Sequence, residues 1–280
     1  MVLQNKIDFC ILVTATNCNP NGDPLNGNRP RTSYDGFGEI SDVCIKRKIR
    51  NRMIDMGKNV FVQSDDKCVD GYFCLKDRAE AVLKEKNKED NVKKACQTWL
   101  DVRTFGQVFA FKKNNDNSEN VVSAPVRGPV SIRAGISCSP VDVTSMQIVK
   151  SVNNEPGEKK SPDTMGTKHR VNFGLYKIMG SVNVQLAEKT GFSEEDAEIL
   201  KECLRTLFVN DASSARPDGC MEVVKMYWWK HNCKEGQYSA AKVHNSVQVT
   251  LKTEGTAPKC YEDYEVVLTE PEGLAVEEVI

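Results

Sequence analysis

Apolar and polar positions fall into blocks along the chain, and the blocks predict an order of elements. KIDFCILVTATN, residues 6–17, is rich in Ile, Phe and Val and reads as a first strand with both faces at least partly buried. Residues 17–40 then turn polar and dense in Gly, Pro and Asn, which predicts a long loop. Pro20 and Pro24 withhold backbone donors there, and Gly22 and Gly27 are expected to take positive φ. A loop of this length in a compact domain is functional or disordered. Ser41 or Asp42 is the expected cap of a helix that runs to about Met56, with Gly57 as its stop. Ile45, Ile49, Met53 and Met56 form its apolar stripe, and Lys46 and Arg50 share the adjacent flank with Arg47 just beyond.

Farther along, NVFVQ (59–63) reads as a short strand, and residues 76–100 as charged helix interrupted by the solvated connection KEKNKEDNVKK. TWLDVRTFGQVFAF (98–111) reads as buried helix, KKNNDNSEN as a polar loop, and residues 121–141 as strand broken by Pro and Gly. Residues 150–164 form a polar stretch expected to be mobile. HRVNFGLYKIMGSVNVQLA (169–187) reads as one long or two successive strands, and residues 193–210 as a clean helix capped by Ser193. CMEVVKMYWWKH and VHNSVQVTLKT read as strands, with at most one more at the acidic end. Without its insertions the order approximates βαββαβ, an α+β class with the ferredoxin-like plan of RNA-recognition (RRM-like) domains, although several α+β folds share such an order.

Composition narrows the function classes. The chain has 280 residues, enough for one large domain or a domain with a substantial insertion. It contains no apolar run that would span a bilayer. Its start lacks a signal-peptide cleavage pattern, so the expected location is the cytoplasm and no membrane partner is expected. Its eleven cysteines are scattered without any CxxC pair, which argues against a disulfide framework or a zinc site and for buried free thiols.

Charge is uneven beneath a net of −1. Arg29 to Lys58 carries eight cations against four acids, a net of +4, whereas Glu262 to the end carries seven acids and no Lys or Arg. Within IKRKIRNR no Asp or Glu interrupts the cations, and they lack i, i+4 acid partners in this reading. That pattern is either a solvated helix face or a grip on a phosphate backbone. Thr164 to Ala187 is also free of acids and holds Lys168, His169, Arg170 and Lys177. There Met165 could wedge against a base and Gly166 permit close backbone approach, or the segment is an ordinary glycine turn before a strand. Arg127 and Arg133 read as snorkelling strand residues.

Catalytic signatures are missing. His169, His231 and His244 lie in no hydrolase motif, and no phosphate-binding or dinucleotide glycine motif occurs. DGFGE reads as a turn, and Asp23 as a turn-forming Asx residue in preference to a metal ligand. Tyr227, Trp228 and Trp229 read as packing residues, and an aromatic base-stacking sheet signature is absent.

Several blocks taken in order are more specific. NCNPNGDPLNGNRPR, DVCIKRKIRN, FGQVFA, RGPVSIRAGIS, TMGTKHRVNFGLY and FVNDASSARPDG span nearly the whole chain. Together they resemble the backbone subunits of type I CRISPR Cascade complexes, the Cas-seven superfamily, and within it the type I-C branch. The resemblance implies a single RRM-like palm over residues 1–280, a helical finger insertion at about 64–118 and a protruding thumb at about 140–166. It implies a non-catalytic subunit that polymerises along CRISPR RNA and holds its backbone. The bases stay free to pair with target DNA, beside further copies of the chain and other Cascade subunits. The RNA-binding residues implied are Asn19, Asn21, Gly22, Arg29, Arg31, Ser41, Lys46, Arg47, Arg50, Met165, Gly166, Lys168, His169 and Arg170, with no catalytic residue, metal or cofactor. A metal-dependent endoribonuclease using Asp23 and a general single-strand RNA binder are the alternatives.

Overall fold

The structure, a computed structural model, describes residues 1–85, 87–111, 122–152, 165–253 and 255–280. Strand β1 (Ile7–Cys18) forms its spine, with every residue from Ile7 to Ala15 buried. The polar segment after it is pinned by two very short strands, β2 (Gly22–Asp23) and β3 (Arg29–Pro30), before β4 (Phe37–Ile40) and helix α1 (Asp42–Asp55). Ser41 caps α1 by accepting from the Cys44 amide at 3.3 Å, and Gly57, at φ +72°, ends it as the sequence predicts. Ile45, Ile49 and Met53 are fully buried, so the predicted stripe faces the core.

An insertion with its own core follows. Helices α2 (Leu75–Val82), α3 (Lys88–Thr98) and α4 (Leu100–Phe105) pack with strands β5 (Gly106–Phe111) and β6 (Val122–Arg127). Phe61, Ala95, Trp99, Val102, Phe109 and Val126 lie at its centre. The structure corrects three expectations here. NVFVQ is not a strand, because the amides of Phe61 and Val62 are taken by the Asp101 carboxylate instead of a neighbouring strand. KEKNKEDNVKK is helix from Lys88 onward, started by Asn87, whose side chain accepts from the Glu89 amide. The helix expected over 98–111 stops at Phe105, where Gly106 adopts φ +82° and a Cβ would lie 2.3 Å from the Val126 carbonyl oxygen. The polar loop KKNNDNSEN lies outside the described residues.

The remaining elements are β7 (Val130–Ile132), β8 (Gly135–Pro140), β9 (Val143–Val149), β10 (Met165–Val182), α5 (Val184–Thr190), α6 (Glu194–Arg205), β11 (Met221–Lys230), α7 (Ala240–Asn245), β12 (Val247–Leu251), β13 (Tyr264–Leu268) and β14 (Val276–Glu278). Here too the sequence reading is adjusted. Asn183 caps α5, so VQLA is helix. Val243 to Asn245 belong to α7, and the acidic end supplies two strands where at most one was expected.

The main sheet runs β14-β11-β1-β10-β8-β4 through antiparallel pairs, with β7 and β9 also on β10. Phe9, Ile11 and Val13 of β1 face α1 and α6, while Cys10 and Leu12 face α7 and the β12–β13 pair. Both faces are therefore covered, giving a mixed α/β fold built on a large antiparallel sheet. Trp228 stacks on Phe9 with centroids 5.7 Å apart, and Tyr227 and Trp229 pack on the opposite face; all three are buried, as their flanking residues predict. All eleven cysteines are free. Burial pushes Cys10, Cys18 and Cys203 up to about 12 and Cys96 and Cys138 up to about 11, so these thiols stay protonated. Cys74, Cys233 and Cys260 are exposed, which the buried-thiol reading did not foresee.

The position of β10 decides where the candidate site lies. Residues Val171 to Val182 pair with β1, but Met165 to Arg170 extend beyond it and pair with β9. The result is a two-stranded arm continuous with the central sheet. Residues 153–164, most of the stretch expected to be mobile, lie outside the described residues.

Candidate nucleic-acid interface

The basic helix differs from its sequence reading. Lys46 Nζ meets Asp42 Oδ2 at 3.0 Å, an i, i+4 pair. Lys48 is buried and paired with Asp211, and it also lies over the Phe208 ring. Arg50 Nε donates to Asp101 Oδ2 at 2.9 Å and sits over the Phe105 ring, so it ties α1 to the insertion. Arg52 donates to Asp55 and to Thr206. The expectation of unpaired cations is thus overturned for these four. Asp42 lies one turn before the basic run, and Asp101 and Asp211 arrive from remote segments that local spacing does not reveal. Arg47 differs, since it has no ion pair within 4 Å and its buried Nη1 has no hydrogen-bond partner among the described residues. Its field helps to hold the Asp66 carboxyl below the usual range, after a hydrogen bond from Ser64.

The polar loop is stitched together by its own asparagines. Asn21 Oδ1 accepts from the amide and hydroxyl of Ser41 at 2.9 and 2.8 Å, and Asn19 Nδ2 donates to the Asn28 carbonyl at 2.7 Å. These side chains, with Ser41, hold the loop to the start of α1, a structural role that the site reading did not assign. Asp23 accepts from the Leu25 amide, the expected Asx role, and lies 3.7 Å from Arg31. Gly27 has φ +57°, as expected, whereas Gly22 is not in the left-handed region. The Asn28 side chain packs closely on it, so a Cβ there, 1.9 Å from Asn28 Oδ1, would make that side chain turn away.

The arm brings the second basic segment to this loop. Arg29 Nη1 donates to Ser145 Oγ at 2.7 Å, and Ser145 Oγ lies 2.8 Å from His169 Nδ1. Ser145 accepts from Arg29, so its own hydrogen is free for the imidazole. Lys168 is exposed and makes no hydrogen bond among those described, and Arg170 Nε is buried without a partner. Gly166 is ordinary strand backbone paired with Ile148, and a Cβ would meet Ile148 at an unremarkable 3.5 Å; it is neither a turn nor a forced close approach. Met165 stands 58% exposed at the far end of the described arm.

Between loop and arm lies a cleft of about 270 Å³, lined by Asn19, Asn28, Thr167, Lys168, His169 and Ser214 among others and by no carboxylate. The structure therefore gathers Asn19, Lys168 and His169, with Arg29 joined to them through Ser145, and leaves Lys46 and Arg50 elsewhere. Sequence reasoning missed the 211–216 segment. Ser214 and Ala215 line the cleft, the Ala215 carbonyl accepts from the Asn19 amide at 3.0 Å, and Arg216 Nη1 lies 3.4 Å from the Asn19 carbonyl. FVNDASSARPDG marked this segment, but nothing within it pointed to a residue.

The other histidines are structural. His231 Nδ1 accepts from the Gln237 amide at 2.9 Å, so Nε2 carries the hydrogen that reaches Asp8 at 2.8 Å. Burial penalises the Asp8 carboxylate, yet bonds from His231, Lys6 and Ser181 outweigh that and hold its pKa below the ordinary value. His244 is buried against the Gly180 carbonyl, and burial lowers its pKa. Among the described residues no group of three or more His, Cys, Asp or Glu is placed to hold a metal ion, and no helix is long and apolar enough to cross a membrane.

The profile of the family described as CRISPR-associated protein Cas7 matches residues 5–269. A CRISPR-associated protein Cas7 of Haloferax volcanii is 27% identical over 223 residues, covering 74% of this chain and 65% of that protein. The chain thus spans just under two thirds of that relative's length. Among solved structures, a chain of a CRISPR RNA-guided surveillance complex, pre-nicking, aligns with a TM-score of 0.46 at 14% identity over 85% of this chain and 81% of that one. A chain of a second CRISPR RNA-guided surveillance complex aligns with a TM-score of 0.45 at 17% identity, over 90% and 77%.

Proposed function

The chain belongs to the Cas7 family of CRISPR-associated proteins, and on that premise we propose that it is a guide-RNA-binding backbone subunit of a type I CRISPR effector complex. The observation that carries this reading is the carboxylate-free cleft at the root of the β9–β10 arm, with Lys168 free and Arg170 unpartnered beside it. Phosphodiester groups are the ligands that such a surface suits, since release of the counterions condensed on the strand supplies the affinity and no base need be read. Lys168, His169 and Arg170 hold the strand, Arg29, Arg31 and Arg47 support it, and Met165 at the arm wedges between bases.

The finer assignments belong to the same proposal. The order β11-β1-β10-β8, with α1 after β1 and α6 before β11, supports a ferredoxin-like palm. The separate core about Phe61 and Trp99 supports a finger near 64–118, and the arm supports a thumb near 140–166. The motif blocks favour the type I-C branch. The subunit performs no reaction, repeats along its guide with other Cascade subunits, and leaves guide bases to pair with target DNA. Asp23 acts as a turn cap.

Purification from cells carrying a CRISPR array, followed by sequencing of the bound RNA, tests the reading. Array-derived guides should dominate. Recovery of unselected cellular RNA, or of none, would refute it.

A further inference from the structure

Four arginines share a property that the sequence does not display. Arg31 Nε, Arg47 Nη1, Arg170 Nε and Arg216 Nε are buried without a hydrogen-bond partner among the described residues. Arginines that hold the fold, such as Arg50, Arg78 and Arg103, donate to carboxylates at 2.6–2.9 Å. A buried guanidinium N–H left unpaired costs stability until something accepts from it. Three of the four belong to the RNA-binding set proposed above; Arg216 does not.

The carboxylate nearest to it, Asp211, is shared with Lys48. Arg216, Arg31 and Lys48 crowd Cys44 together with Asp211. Lys48 takes that carboxylate, and Arg216 Nε remains 3.7 Å away, beyond a hydrogen bond. The Asn19 residue, 4% exposed, also keeps an unpartnered Oδ1 beside the same segment; as an acceptor it suits a ribose 2′-hydroxyl and not a phosphate oxygen. The loop has backbone bonds of its own beside the one that Arg216 Nη1 donates to the Asn19 carbonyl. Ser213 and Arg216 exchange backbone bonds of 2.8 and 3.1 Å, and the Asn19 amide holds Ala215. Ser214 at its tip faces the Lys168 cleft.

We infer that Arg216, together with the 213–215 loop, forms a further phosphate subsite for single-stranded RNA beside the cleft that Ser214 and Ala215 share with Lys168. The inference rests on the RNA-binding reading and adds a residue to it. Binding of a labelled single-stranded RNA oligonucleotide to the full chain, titrated between about 50 and 200 mM salt, tests it. Arg216→Ala should weaken binding about tenfold and reduce the log–log salt slope by about 0.7, whereas Arg216→Lys should keep the slope. Ser214→Glu, which places an acid in the cleft without removing any hydrogen bond described, should also weaken binding. If both Arg216→Ala and Ser214→Glu match the wild type while Lys168→Ala binds less tightly, the loop is not part of the site and the wider reading survives. A wild-type chain that binds no RNA overturns both.

Discussion

Helix α1 and the β9–β10 arm look alike as strings of letters: each concentrates Lys and Arg beside a polar loop. Folded, they part company. Lys46, Lys48, Arg50 and Arg52 of the helix are engaged by Asp42, Asp211, Asp101 and Asp55. Among the described residues, Lys168 and Arg170 of the arm meet no carboxylate. A run of cations therefore says little until the tertiary origin of the acids is known. A better guide was already present in the sequence: Thr164 to Ala187 contains no acid at all, whereas α1 has Asp42 and Asp55 at its ends.

The sharpest test of this contrast is Asp101→Ala. Asp101 is 1% exposed and receives Arg50 and the amides of Phe61 and Val62, so its loss should cost about 3–5 kcal/mol in denaturant unfolding. A loss below about 1 kcal/mol would mean that Arg50 is not a structural cation. Arg50→Ala should likewise lower stability while leaving the salt slope of RNA binding unchanged. The reverse pattern is expected for Lys168→Ala combined with Arg170→Ala. The slope should fall by about 1.4, two contacts at about 0.7 each, with stability held within about 0.5 kcal/mol.

Proton linkage sets the range in which such measurements can be compared. Burial holds the His244 pKa below the ordinary value of about 6.5 in the folded chain. The unfolded chain takes up a proton as pH falls through that value and the folded chain does not. Stability is therefore full above about 6.5 and declines below it, by up to about 1.4 kcal/mol per pH unit. His244→Gln should flatten this slope in unfolding curves recorded from pH 7 to 5. Last and smallest is Lys46→Ala, which removes a half-exposed helical ion pair and should cost under about 0.5 kcal/mol. A parallel drop of about 0.7 in the RNA salt slope would show that this lysine exchanges its carboxylate for phosphate, moving one helix cation to the arm's side of the comparison.

The elements most legible in the sequence were those fixed by local patterns. The nine buried residues of β1, the caps and stripe of α1, the Ser193 capping box of α6 and the buried aromatics of β11 all followed from spacing and propensity. The misses had distant causes. The helix ends at Gly106 because Val126 packs against it, and residues 60–63 are not strand because Asp101 claims their amides. In the site, Lys168, His169 and Asn19 were legible through charge and motif. Which arginines would find acids was not, and neither was Arg216, whose contact with Asn19 spans nearly two hundred residues of the chain.

Strand β10 runs unbroken from Met165 to Val182, so the arm and the middle of the sheet are one rigid beam without a joint between them. The cleft at the root of the arm is thereby tied to the middle of the sheet through one continuous strand. A displacement of the arm would therefore reach the centre of the sheet along that strand, without an intervening loop to absorb it.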